Sequence, residues 1–131
     1  MTSALQKVSE PHKIAVGDIV VQELVGVEQG VTWGTLFDVR FAAGAFVPWH
    51  IHTYDEVGVA QEGVVEMFIG HETLRPQFGE VVVIPAGTPH SVRAAADEGA
   101  RHLAIAHTRS DAMHDGEHTI LVDGPDGIPL T

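Results

Sequence analysis

From Ile14 to Arg109 the chain runs in short apolar or alternating segments broken by glycine and proline, and no 12-residue window carries a helical period. Strict alternation over five to eight residues places every second side chain on one face, the pattern of a half-buried strand. Candidate strands are Ile19 to Val25, Gly34 to Phe41, Val47 to His52, Glu56 to Gln61, Val64 to Ile69, Glu80 to Ile84, Ser91 to Ala95 and Arg101 to His107. Eight short strands with turn signals between them predict an all-β domain, a jelly-roll sandwich or barrel.

The turns are marked by residues that reverse a chain cheaply. Glu62-Gly63 and Gly70-His71-Glu72 offer a glycine for positive φ, and Pro85-Ala86-Gly87-Thr88-Pro89 forms a stiff connection ahead of His90. Beyond Asp111 the pattern changes. Gly116, Gly124, Pro125, Gly127 and Pro129 interrupt residues 111–131 and leave Thr119 to Val122 as the only strand candidate in an otherwise irregular tail. No repeat or linker appears, so one domain over residues 1–131 is expected.

A chain of 131 residues buries enough surface to fold without staples. The absence of cysteine excludes disulfides, thiolate metal sites and a cysteine nucleophile, so any metal must be held by nitrogen and oxygen. Eighteen acidic against seven basic residues give a net charge of −11, which repels phosphate backbones and anionic lipid surfaces. Nucleic-acid and membrane partners are therefore not expected. With no signal-like or membrane-length apolar run, a cytoplasmic protein is expected.

Chemistry concentrates between Gly44 and His90. His50 and His52 are two residues apart in a predicted strand and so share one face, where both can reach one ion. A helix would turn them about 200° apart. Glu56 opens the next strand after Thr53-Tyr54-Asp55, and a hairpin there would bring its carboxylate back beside the imidazoles. His90 arrives behind the proline-flanked turn. Collecting three imidazoles and a carboxylate in an apolar barrel carries a heavy desolvation cost unless an ion pairs with them.

These residues also form two spaced motifs. Gly44, five residues, His50-x-His52, three residues, Glu56, six residues and Gly63 make the first; Gly79, five residues, Pro85-x-Gly87, two residues and His90 make the second. At these positions the chain resembles the cupins, with the resemblance covering about Val31 to His107. Val64 to Phe78, the 15 residues between the motifs, match the short spacing of small single-domain bacterial cupins. One position departs from the pattern: Ala94 stands where the second motif ends in asparagine. The resemblance implies a double-stranded β-helix barrel and one divalent metal ion per chain held by His50, His52, Glu56 and His90.

Three neutral imidazoles and one carboxylate leave a six-coordinate ion two open positions. Iron or manganese suits such a shell best, and nickel or zinc, which binds such sites more tightly, can stand in for it in purified material. Proton competition is expected near pH ~6.5, where free histidine protonates. The leading functional expectation is an oxidoreductase resembling the small cupin dioxygenases, acting on a small organic substrate chelated at the metal. The alternatives are a redox-neutral isomerase, cyclase or decarboxylase using the metal as a Lewis acid, and a non-catalytic metabolite-binding protein.

Further expectations concern the cavity wall and assembly. Gly58 and Ala60 share the face of Glu56, and Val65, Met67 and Ile69 line the next inward face. His102 and His107 lie on opposite faces of one strand, so at most one looks inward as a proton donor; no catalytic residue beyond the ligands is identified. His114-Asp115-Gly116-Glu117-His118 spells a zinc-peptidase pattern that needs a helix, and Gly116 argues against one. Outward apolar residues such as Phe68, together with the resemblance, predict a homodimer with residues from about Ile14 to Val25 pairing across the interface.

Overall fold

The computed structural model describes residues 4–5, 12–13, 18–113 and 116–130. Its strands are β1 (His12–Lys13), β2 (Ile19–Val25), β3 (Thr35–Phe41), β4 (Phe46–His52), β5 (Glu56–Glu62), β6 (Val65–Ile69), β7 (Glu72–Leu74), β8 (Val81–Ile84), β9 (His90–Ala94), β10 (Ala100–Ala106) and β11 (Thr119–Leu121). Among the described residues one 3₁₀ turn, Val27–Gln29, accompanies them. The strands form two antiparallel sheets, in the orders β1-β2-β3-β10-β5-β8 and β11-β4-β9-β6-β7. Their inner faces enclose the core as a jelly-roll barrel.

Every strand expected from the alternation is present, and no end moves by more than one residue. Burial follows the two-residue period: Ile19, Val21, Phe37, Phe41, Val65, Met67, Val82 and Ile84 are buried, while Val81 and Val83 beside them face out. The alternation did not reveal β1 or β7, which are too short to show a period. The tail folds back onto the barrel: Thr119, Ile120 and Leu121 pair with His52, Ile51 and His50 of β4, and Val122 bridges to Pro129.

The hairpin expected between His52 and Glu56 does not form. β4 belongs to one sheet and β5 to the other, so Thr53–Asp55 is a corner at which the chain crosses the barrel. Two distant segments hold it there. Thr53 N donates to His118 O at 3.0 Å and His107 N to Asp55 O at 2.9 Å, pinning the corner to the tail on one side and to β10 on the other. The consequence for Glu56 is that it faces the imidazoles from the opposite sheet rather than from a neighbouring strand.

A β-bulge sets the aim of the histidine strand. Val47 pairs with Val92 and His50 with His90, so three steps along β4 match two along β9. The extra residue lies at Pro48–Trp49. Without it, Val47 and His50 would face opposite ways; with it, both line the interior. Proline suits the position because it has no N–H to lose from a ladder.

The connection to His90 is held just as firmly. Gly87, at φ 79°, donates its N–H to His52 O at 2.7 Å, and Asp55 Oδ1 accepts from Ala86 N at 2.8 Å. At Gly63, φ is 65° and a Cβ would collide with Gly99 O, so the β5–β6 turn requires glycine on two counts.

Candidate metal centre

His50, His52 and His90 come together at one end of the barrel, buried to 8 %, 8 % and 3 % exposure. One donor atom from each lies within 4.8 Å of the others. Since ligands on opposite sides of an ion bound at about 2.1 Å lie about 4.2 Å apart, only a small closure separates this cluster from a coordination shell. Glu56, whose side chain is 19 % exposed, places Oε2 3.3 Å from His52 Nε2.

Each imidazole is oriented through Nδ1. His50 Nδ1 donates to Pro48 O at 2.8 Å, and His90 Nδ1 donates to Thr88 O at 2.9 Å. His52 Nδ1 meets Thr119 Oγ1 at 2.9 Å. That hydroxyl donates its own proton to Met113 O at 3.0 Å and so accepts from the ring. Three Nδ1–H tautomers result, which leave the Nε2 lone pairs available to a metal.

Met113 O is a double acceptor. It also takes the Tyr54 hydroxyl at 2.9 Å, and the Tyr54 ring stacks on His52 with centroids 4.6 Å apart and planes 19° apart. Tyr54 belongs to the segment expected as a hairpin connection but is 6 % exposed. Neither it nor Thr119 could be placed beside His52 from strand parity, because parity relates residues within a strand, and the Thr119 bond spans 67 positions.

Burial governs the protonation of the cluster. It lowers the pKa of His50, partly offset by the bond to Pro48. His90 falls to about 4, first through burial and then through the neighbouring His50, against a raising contribution from Thr88. Glu56 moves the other way, raised by burial to about 7. Neutral imidazoles are ready to ligate near neutral pH, whereas the carboxyl needs a cation to ionise fully.

The cluster opens into a cavity of about 450 Å³ between the sheets, walled by Val21, Phe37, Phe41, Met67, Ile84 and Val92 among others. Gly58 lines it, leaving room a side chain would fill. Ala60 and Val65 are buried on the inward faces expected of them, whereas Ile69 is only partly buried. His102 also lines the cavity and is 5 % exposed, while His107 is exposed. Around the second histidine-rich segment, Gly116–His118 forms a turn, and His114 and Asp115 lie outside the described residues.

A family model described as a cupin domain matches residues 37–106. The chain belongs to the cupin family. This cupin resembles the polyketide cyclase RemF from Streptomyces resistomycificus with a TM-score of 0.70 at 19% identity, covering 84% of this chain and 82% of that one. A cupin 2 conserved barrel domain protein from Rhodopseudomonas palustris gives 0.72 at 18% identity, over 91% and 80% of the two chains. The DMSP lyase DddQ from Ruegeria pomeroyi gives 0.65 at 26% identity, covering 79% of this cupin and 51% of DddQ. No curated protein sequence matches significantly. Ala94, where the motif has asparagine, is buried in β9 at 2 % exposure and still joins β4's approach through Ala94 N to Ala45 O at 2.9 Å.

Proposed function

We propose that this cupin is a metal-dependent enzyme in which His50, His52, His90 and Glu56 hold one divalent ion at the end of an apolar cavity. The observation that carries the reading is the set of three buried imidazoles, each turned by its Nδ1 hydrogen bond so that Nε2 serves the cluster. A metal-free protein would gain nothing from that arrangement and would bear its desolvation cost. When bound, the ion supplies a Lewis-acid centre, redox-active if it is iron or manganese, with positions open to a small organic substrate. The chain's residues orient the ligands and exclude water through the apolar wall.

Dioxygenase-type oxidation is the proposed chemistry. Two open cis positions would accept a chelating substrate, or one substrate atom and O₂. A redox-neutral reaction is the second reading, favoured by likeness to proteins described as a polyketide cyclase and a DMSP lyase. Anaerobic purification with elemental analysis tests the shared premise. About one equivalent of metal per chain is expected, and His50→Ala or His90→Ala should empty the site while the barrel stays folded. Wild-type metal content in either folded variant refutes the ligand set. O₂ uptake with small diketones, keto acids and phenols supports oxidation, whereas product formation without O₂ supports the redox-neutral reaction.

The proposal includes a single domain over residues 1–131 and a cytoplasmic homodimer; among the described residues no helix is long and apolar enough to cross a membrane. The surface that supports dimerisation is not around Phe68, which is partly buried and packs on Trp49 at 6.2 Å. It is the outer face of the larger sheet. Leu36, Ile105, Val57 and Val83 form one row across four strands, and Leu103, Val59 and Val81 lie in the next. Val81 and Val83 are 58 % and 60 % exposed, a contiguous patch of the kind a partner covers. β2 is flanked by β1 and β3 in its own chain, and Ile14 to Gly17 of the expected interface lie outside the described residues. Light scattering should give twice 14.0 kDa; a monomer mass at micromolar concentration rejects the dimer.

A further inference from the structure

His102 stands apart from the metal cluster and has no structural partner that explains it. Its ring packs edge-on against Phe41, with centroids 5.9 Å apart. Its Nε2 is buried without a hydrogen-bond partner, and burial lowers its pKa. An apolar side chain would fill the same place without the loss of hydration that an unpaired imidazole suffers. Among the described residues His102 Nε2 is the one buried side-chain nitrogen or oxygen left in this state.

Its position along the barrel gives it meaning. On β10, Ala106 pairs with Glu56, Ala104 with Gly58 and His102 with Ala60. His102 is therefore four residues from the level of the metal cluster, about 13 Å along the strand. The ring leans part of the way back. A Cβ built on Gly58 would lie 3.9 Å from His102 Nδ1, ordinary contact distance, so that nitrogen lies near the Gly58 level of the wall. The same cavity is lined by His102, Gly58 and the metal-binding histidines, with apolar side chains making up most of the remaining wall.

We infer that His102 is the second polar anchor of the substrate, a positioning residue farther along the cavity than the metal-binding cluster. This rests on the metal-enzyme reading above and specifies its substrate class. The substrate is an extended, largely apolar molecule of about two fused rings, a size suited to a pocket of this class. One end carries the oxygen atoms that chelate the ion. The other carries a hydroxyl or carbonyl that hydrogen-bonds His102 through Nδ1, the ring nitrogen near Gly58 of the cavity wall. A substrate polar only at the metal end would leave the imidazole unpaired, and a fully polar one would not suit the walls.

The test compares ligands under anaerobic conditions, so that binding is read without turnover. The probes are 2,3-dihydroxynaphthalene, which carries only the chelating end, and its derivatives with one further hydroxyl at each remaining ring position. For the metal-loaded wild type, at least one derivative should bind about five- to tenfold more tightly than the parent, the gain from one buried hydrogen bond. His102→Phe, which keeps the aromatic contact with Phe41, should abolish that gain and bind the parent within about twofold of wild type, since no hydrogen bond to the parent is lost. His102→Gln should restore part of it. The ¹⁵N resonances of His102 should shift with the favoured derivative and not with the parent. Absence of a gain at every ring position, or a gain that survives His102→Phe, overturns the inference. Repeating the titrations on chelator-stripped protein separates the two readings: parent affinity that ignores the metal counts against the metal-enzyme proposal, while dependence on His102 is still read from the difference between probes.

Discussion

Loading metal into stripped protein at pH 6 should expel close to one proton from Glu56. Free imidazoles would suggest otherwise, since three histidines with ordinary values near 6.5 would compete for protons together. In the folded chain burial lowers His50 and takes His90 to about 4, while the Glu56 carboxyl is raised to about 7. A raised carboxyl keeps its proton below its folded pKa and must release it to ligate, so affinity weakens as pH falls through about 7. Glu56 should contribute about one proton per ion to the slope. Relative to pH 8, its protonation alone should lower affinity about tenfold at pH 6 and about a hundredfold at pH 5. Three unperturbed imidazoles would instead cost about 70-fold at pH 6 and more than about 10⁴-fold at pH 5. Calorimetric titration of zinc into stripped protein, in two buffers with different ionisation heats, counts the protons directly. Glu56→Gln should weaken binding and cut the release at pH 6 by about one proton. No release by the wild type, or a release that Glu56→Gln leaves unchanged, refutes the reasoning.

Other consequences are as direct. Thr119→Val removes the hydroxyl between His52 and Met113 and should weaken metal binding about 10- to 100-fold, while Thr119→Ser should keep it; equal chelator-competition curves for all three proteins would exclude the relay. Gly63→Ala forces a Cβ against Gly99 O at positive φ and should destabilise the barrel by at least about 2 kcal/mol, which a denaturant midpoint unchanged from wild type would contradict. Val83→Asp, on the exposed apolar row, should lower dimer affinity without changing metal content, and a light-scattering mass that stays dimeric on dilution would relocate the interface.

The fold was legible because its strands are short, regular and amphipathic, so a two-residue period in sequence becomes the burial pattern of each strand. His50 and His52 were legible for the same reason. The limit appears where a contact depends on something other than period. Val47 and His50 share the interior only because Pro48–Trp49 inserts a residue, and nothing local in the spelling distinguishes a bulge from a regular strand. Glu56 reaches the site across the barrel rather than through a hairpin, since three residues can make either a reversal or a corner. Thr119 lies in a segment whose glycines and prolines hid its pairing with β4. His102 could be placed on one of two faces, and only the pairing of β10 between β3 and β5 decided which.

The three imidazoles of the proposed metal site differ in how easily they can be retuned. His50 and His90 each lean on a main-chain carbonyl two residues back, an acceptor that persists whatever side chain occupies that position. His52 leans on a side-chain hydroxyl from the final strand. Two of the Nδ1 bonds are thus hard-wired, and the third is adjustable through residue 119. Replacing a hydroxyl with a carboxylate or an amide there would alter the basicity of one imidazole and leave the others in place. A barrel built this way can change its metal preference in single steps, with the adjustment made from a tail that contributes no ligand of its own.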